Sequence, residues 1–184
     1  ILRTIDVIDS LAIFQTGTFK DSLDRASRNL LKLEKNGVSI GILNYTYGLN
    51  GMPVNAPVNV NLLDTILIKS DLRKALTQQL DKVIVFVHWG KEYQHEPSKE
   101  QRSLAAFFFE EGADIIIGSH PHVLQPMEYF NDEKGERFVA YSMGNFVSNQ
   151  RTFPRDGGAM VEITLSKENG TTSISDKGYH LTWV

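Results

Sequence analysis

Cysteine is absent from the 184 residues, which excludes disulfide bonds and thiolate metal ligands and leaves histidine, carboxylate and amide side chains as the available donors. No apolar run approaches the roughly 20 residues that a membrane-spanning helix needs. A basic block is missing too: 19 Lys and Arg against 22 Asp and Glu leave a net charge of -3, and the cations stand mostly beside acids. That pattern carries no electrostatic footprint for nucleic acid or for an anionic membrane surface. Internal repeats, low-complexity tracts and linkers are also lacking. With 41% hydrophobic and 10% aromatic residues, the chain reads as one globular unit with a sizeable core. There is no start methionine. The opening ILRTIDVIDSLAI places Leu2, Ile5, Ile8 and Leu11 or Ala12 on one helical face, so the expectation is a helix entered from the upstream part of a longer protein, which would also hold any targeting segment.

What is present is organised around β-strands. LLKLEKNGVSIGILNY predicts two antiparallel strands joined through Asn36 and Gly37, a pair that tolerates the positive φ of a tight hairpin. Ser70 is expected to cap a helix over DLRKALTQQL, with Leu72, Leu76 and Leu80 recurring every four residues. Val83 to Val87 is a run of five apolar, mostly β-branched residues, the signature of a strand covered on both faces. Ser98 and Gln101 form a capping box for a helix over SKEQRSLAAFFFEE that Gly112 terminates, with Leu104, Ala105, Phe108 and Phe109 facing the sheet. Asp114 to Gly118 is the next strand, and residues 83–118 therefore form a β-α-β unit whose right-handed crossover makes the two strands parallel. Hairpins follow: QPMEYF and RFVAYSM around NDEKGE, then GAMVEITL and SISDKGYHLTWV. The class is α/β.

Both buried strands end in histidine, His88 on one and His120 and His122 just beyond the other. Ligands in open α/β sheets bind outside the carboxyl ends of the strands, which is where these three side chains belong. An extended i, i+2 pair with Pro121 between would point His120 and His122 the same way, able to share one metal or to serve two. Glu92 and Tyr93 follow His88 closely enough to line the same cleft, and Ser142, Gly144 and Asn145 of YSMGNF could form a polar loop over it. His95 reads as a solvated loop residue, His180 as a structural residue of a terminal strand, and Asp114 as an anchor for a loop.

At these residues the chain resembles the bacterial capsule-synthesis CapA family, also described as poly-γ-glutamate biosynthesis proteins, a branch similar to the calcineurin-like metallophosphoesterases. The resemblance runs through NYTYGLNG, FVHWGKEYQ with its downstream PSKEQ, GADIIIGSHPHVLQPME and YSMGNFV. It implies a layered αββα sandwich with mixed sheets, residues 1–184 being the C-terminal portion of a single domain. It implies metal ligation by His88, His120 and His122, with two divalent transition ions (Mn, Fe or Zn) in the intact protein; Glu92, Tyr93, Ser142 and Asn145, from their positions beside the cleft, are the expected substrate contacts. The loop departs from the relatives' GHxH in that Ser119 separates Gly118 from His120. The relatives' first ligands, an aspartate, a second acidic or amide residue and an Asn-His pair, have no counterpart here and are expected upstream of Ile1, as is the general acid.

The function this implies is a metal-dependent phosphoesterase-type activity in capsule or poly-γ-glutamate biosynthesis, in a protein held outside the cytoplasmic membrane by an anchor beyond this chain. Its partners would be an anionic extracellular polymer or its phosphorylated precursor, and the synthesis machinery. The alternative class is a non-catalytic polymer-binding or scaffold subunit. A mononuclear zinc amidohydrolase is a third reading, against which stands the absence of an HExxH helix.

Overall fold

Six of the strands make one mixed sheet, and its order explains where the histidines go. The computed structural model describes residues 1–184, and the elements run α1 (Leu2–Ser10), β1 (Thr18–Phe19), α2 (Ser22–Arg28), β2 (Leu31–Lys35), β3 (Val38–Thr46), β4 (Asn59–Val60), α3 (Thr65–Leu76), β5 (Lys82–His88), α4 (Lys99–Glu110), β6 (Ile115–Ser119), β7 (Met127–Asp132), β8 (Gly135–Ala140), β9 (Gly157–Glu168) and β10 (Thr171–Trp183). The sheet order is β2-β3-β5-β6-β8-β7. Strands β3, β5, β6 and β8 are parallel, while β2 and β7 pair antiparallel at the two edges. The β2–β3 hairpin turns on Asn36 and Gly37, both at positive φ (54° and 77°), as the Asn-Gly pair requires. The β-α-β unit is formed as expected, with β5 and β6 adjacent and His88 in register with Ser119.

Helices α3 and α4 cover one face of the sheet. Their side chains Ile68, Leu72, Ala75, Ala105 and Phe108 pack against Leu43, Val83, Val85, Val87 and Ile116. Full burial of a side chain such as Phe108 or Ile116 contributes on the order of 1.5–3 kcal/mol. The capping box of α4 is present in both directions, Ser98 accepting from the Gln101 N–H and the Gln101 side chain accepting from the Ser98 N–H. Helix α3 starts earlier than the sequence suggests. Asp64, not Ser70, is its cap, accepting from the N–H groups of Ile66 and Leu67. The reason is that a carboxylate caps as well as a hydroxyl, and TILI continues the apolar stripe backwards. The buried stripe is Ile68, Leu72 and Ala75, whereas Leu76 is exposed. In α1, Ile5 alone of the predicted apolar face is buried.

The long β9–β10 hairpin forms a second sheet on the opposite face. Ile174, Val161, Ile163 and Leu165 pack there against Ile115, Ile117, Phe138 and Ala140. Polar ties fasten this layer at two carboxylates: Asp81, just before β5, accepts from the Ser39 N–H and hydroxyl and from Thr172, and pairs with Lys167, while Glu136 of β8 accepts from the Ile174 N–H of β10. Helices, a mixed central sheet and a second antiparallel sheet are the layers of the expected α/β sandwich class.

Candidate metal centre

His88 is the last residue of β5 and sits at the carboxyl end of the parallel strands, beside the end of β6. Its Nδ1 lies 3.2 Å from Ser119 Oγ, and its ring centroid is 4.6 Å from that of His120. Beyond Ser119 the backbone coils instead of remaining extended, so the predicted extended geometry is corrected: His120 and His122 both take positive φ, 107° and 59°, and their ring centroids are 6.2 Å apart. The turn is held from outside, because the Tyr93 N–H donates to the Pro121 carbonyl at 2.7 Å. That bond carries Glu92 to the histidines, and one ligand atom each from Glu92, His120 and His122 lie within 4.8 Å of one another. The observed grouping is thus Glu92, His120 and His122, with His88 against His120. The sequence had Glu92 only as a residue lining the cleft.

Asn145 determines how His122 is presented. Its Nδ2 donates to the Arg155 carbonyl at 2.7 Å, so its Oδ1 is the atom facing His122 Nδ1 at 2.9 Å. An amide oxygen accepts only, so Nδ1 carries the proton, and in the neutral ring the lone pair is therefore on Nε2. Fixing a histidine tautomer through the other ring nitrogen is what outer-layer partners do for ligating imidazoles. Ser142 takes a different place from the one expected. It is fully buried, donating to the Val123 carbonyl and receiving the Gly144 N–H, so its hydroxyl frames the loop. Tyr93 is partly exposed and stacks on His122, 6.1 Å between centroids.

Two supporting residues had no individual signal in the sequence. Tyr47 follows β3 and donates its N–H to the His88 carbonyl; its ring stacks on His88 at 5.8 Å and stands 4.5 Å from His120. Knowledge that β3 and β5 are register neighbours, Thr46 beside His88, would have revealed it. Trp89 is buried and its indole N–H donates to the Tyr141 carbonyl at 2.9 Å. Gly118 lies against both: a Cβ there would collide with the Tyr141 oxygen and the Trp89 indole nitrogen.

His88 and His120 are suited to be ligands at neutral pH. Burial holds the His88 pKa below its ordinary value, with the neighbouring His120 and His122 adding to the effect. Burial likewise lowers that of His120, against the opposing pull of Glu92. Neutral imidazoles and a carboxylate form a nitrogen and oxygen donor set suited to Mn, Fe or Zn. His95 is exposed, as expected. His180 is exposed on β10 and pairs with Glu162. Asp114 accepts from the Val83 N–H and meets Lys82, anchoring β5 to the turn before β6.

Comparison with known proteins gives the chain's family and its fold relatives. The family model described as bacterial capsule synthesis protein PGA_cap matches residues 1–150. The chain is 37% identical over 153 residues to the PGA biosynthesis protein CapA of Bacillus subtilis (strain 168), covering 82% of this chain and 38% of that protein. It is 32% identical over 152 residues to the capsule biosynthesis protein CapA of Bacillus anthracis, covering 80% and 36%. The chain therefore spans less than two fifths of the length of the curated relatives it matches. Among solved structures it is similar to the calcineurin-like phosphoesterase YfkN from Bacillus subtilis, with a TM-score of 0.52, 18% identity and coverage of 91% and 55%. It is also similar to the Haemophilus influenzae NAD nucleotidase NadN, with a TM-score of 0.52, 16% identity and coverage of 93% and 31%. These two likenesses show the fold. No helix of the chain is long and apolar enough to cross a membrane. On the family match and the identity to the two Bacillus proteins, the chain belongs to the bacterial capsule synthesis protein PGA_cap family.

Proposed function

We propose that this chain supplies the histidine-bearing part of a divalent-metal centre of phosphoesterase type, working outside the cytoplasmic membrane in capsule or poly-γ-glutamate biosynthesis. The observation that carries the reading is the convergence of Glu92, His120 and His122 ligand atoms within 4.8 Å, together with the Asn145 bond that leaves Nε2 of His122 free to ligate. In this proposal His88, His120 and His122 hold metal, and Glu92 adds a carboxylate. Asn145 orients His122, while Tyr93 borders the substrate. Residues 1–184 form the C-terminal portion of one CapA-like domain, with the remaining ligands and the general acid contributed from outside this chain. A bound pair of divalent ions would supply an activated water and charge stabilisation at a phosphoryl group. The chain's own residues favour the neutral form of His88 and His120, orient the His122 ring and hold the loops that carry them. The substrate is an anionic extracellular polymer or its phosphorylated precursor.

The test is hydrolysis of phosphomonoester and phosphodiester substrates by the full-length protein loaded with Mn or Zn. His122→Ala is expected to lower kcat/KM at least a hundredfold, a loss of about 2.7 kcal/mol of transition-state stabilisation. Unchanged hydrolysis in that variant would remove the site from the reaction. Metal binding without any turnover would favour a polymer-binding or scaffold role.

A further inference from the structure

Arg155 is a cation beside the candidate centre that the proposed chemistry leaves unused. It lies between β8 and β9 and is partly buried. Its guanidinium is 5.2 Å from the centroid of the Tyr93 ring, and that ring stacks on His122 at 6.1 Å. The backbone locks the same relationship, because Asn145 donates its amide to the Arg155 carbonyl while accepting from His122. Arg155 is therefore tied to the histidine cluster twice, through an aromatic stack and through one amide. Its guanidinium has a Thr152 hydroxyl as hydrogen-bond partner and forms no salt bridge, whereas Arg25, Arg28, Arg73, Arg102 and Arg137 each pair with a carboxylate.

An arginine held over an aromatic ring keeps its planar fork of donors presented to solvent, the arrangement that reads carboxylate or phosphate oxygens in pairs. Its sequence neighbours Pro154 and Asp156 line a groove together with His95, Phe153 and Trp183. We propose that Arg155 is a specificity-determining residue that binds an oxyanion of the substrate, a carboxylate or a phosphate, next to the group that faces the metal cluster. The inference rests on the reading of the cluster as a metal site, and it deepens that reading: the ligand is one whose negative charges recur, so that one group can sit at the cluster while its neighbour sits on Arg155.

The experiment is titration of the full-length, metal-loaded protein with inorganic phosphate and, separately, with a γ-linked triglutamate, followed by calorimetry. Arg155→Gln and Arg155→Lys are compared with the unsubstituted protein. The glutamine variant keeps the backbone carbonyl that Asn145 uses, so bound metal, measured in parallel, is expected to stay the same. Arg155→Gln is expected to weaken at least one probe by tenfold or more, with Arg155→Lys falling between. The probe that suffers identifies the source: triglutamate alone points to a carboxylate, and phosphate to a phosphoryl group. An effect within twofold on both probes, with metal content unchanged, overturns the inference and leaves the metal site standing. Failure of the unsubstituted protein to bind either probe also overturns it. Loss of metal from the unsubstituted protein would instead count against the proposed function.

Discussion

At the scale of single residues, orientation matters as much as identity. Asn145 carries no charge and need not touch metal, yet its two-sided amide leaves Nε2 as the free nitrogen of His122. Asn145→Ala is expected to reduce affinity for Mn or Zn about 10–100-fold, measured by calorimetric titration, while the fold persists. Gly118 makes the complementary point about space. Gly118→Ala would push a methyl group into the Tyr141 carbonyl and the Trp89 indole and is expected to destabilise the protein by roughly 1–3 kcal/mol, visible as a lower urea midpoint. His88, His120 and His122 were legible from their place after two apolar runs, because strand ends are where open α/β sheets present ligands. Ser142 and Tyr47 were not. Whether a hydroxyl faces a cleft or a carbonyl, and which ring stacks on a histidine, depends on loop backbone and strand register, which composition does not encode.

Among elements, α4 does more than cover the sheet. The side chain that completes its capping box, Gln101, is buried and donates from Nε2 to Gln125, which in turn donates to the Gln94 carbonyl. The helix start is thereby wired to the loop that bears Glu92 and Tyr93. Gln101→Ala is expected to cost about 1–3 kcal/mol, since it leaves the buried Gln125 oxygen without its donor. The check is chemical denaturation, with Ser98→Ala as the comparison, expected near 1 kcal/mol because only the cap is lost. Strong local signals were readable here: the Asn36-Gly37 turn, the capping box and the β-branched run of β5 all specify their elements from few residues. Helix α3 shows where local reading stops. Asp64 and Ser70 are both competent caps, and the choice between them is made by burial of Ile68 against the sheet, a tertiary contact.

For the whole molecule, the layers are joined by few polar ties, and of the two carboxylates among them, Asp81 and Glu136, Asp81 gathers the more donors. Four donors converge on it, and the Ser39 N–H foremost holds its carboxyl well below the usual carboxylate range. A depressed folded pKa contributes stability above the unfolded value of about 3.9 and loses it as pH falls from there. The urea midpoint is accordingly expected to decline below about pH 4, and Asp81→Asn to lower it at neutral pH while flattening that decline. An acid limb of equal steepness in the variant would show that the tie contributes no linkage. The layered α/β class followed from the alternation of strands and helices, whereas the docking of the β9–β10 hairpin came only from the three-dimensional arrangement. The account as a whole turns on the cluster at the strand ends binding metal. The most direct measurement is elemental mass spectrometry of the full-length protein, purified without chelator or histidine tag, beside its His122→Ala variant. The account predicts bound divalent transition metal, close to two ions per chain when the centre is complete, and its loss in the variant. Absence of metal even after addition of Mn or Zn, or equal metal in both proteins, would contradict it.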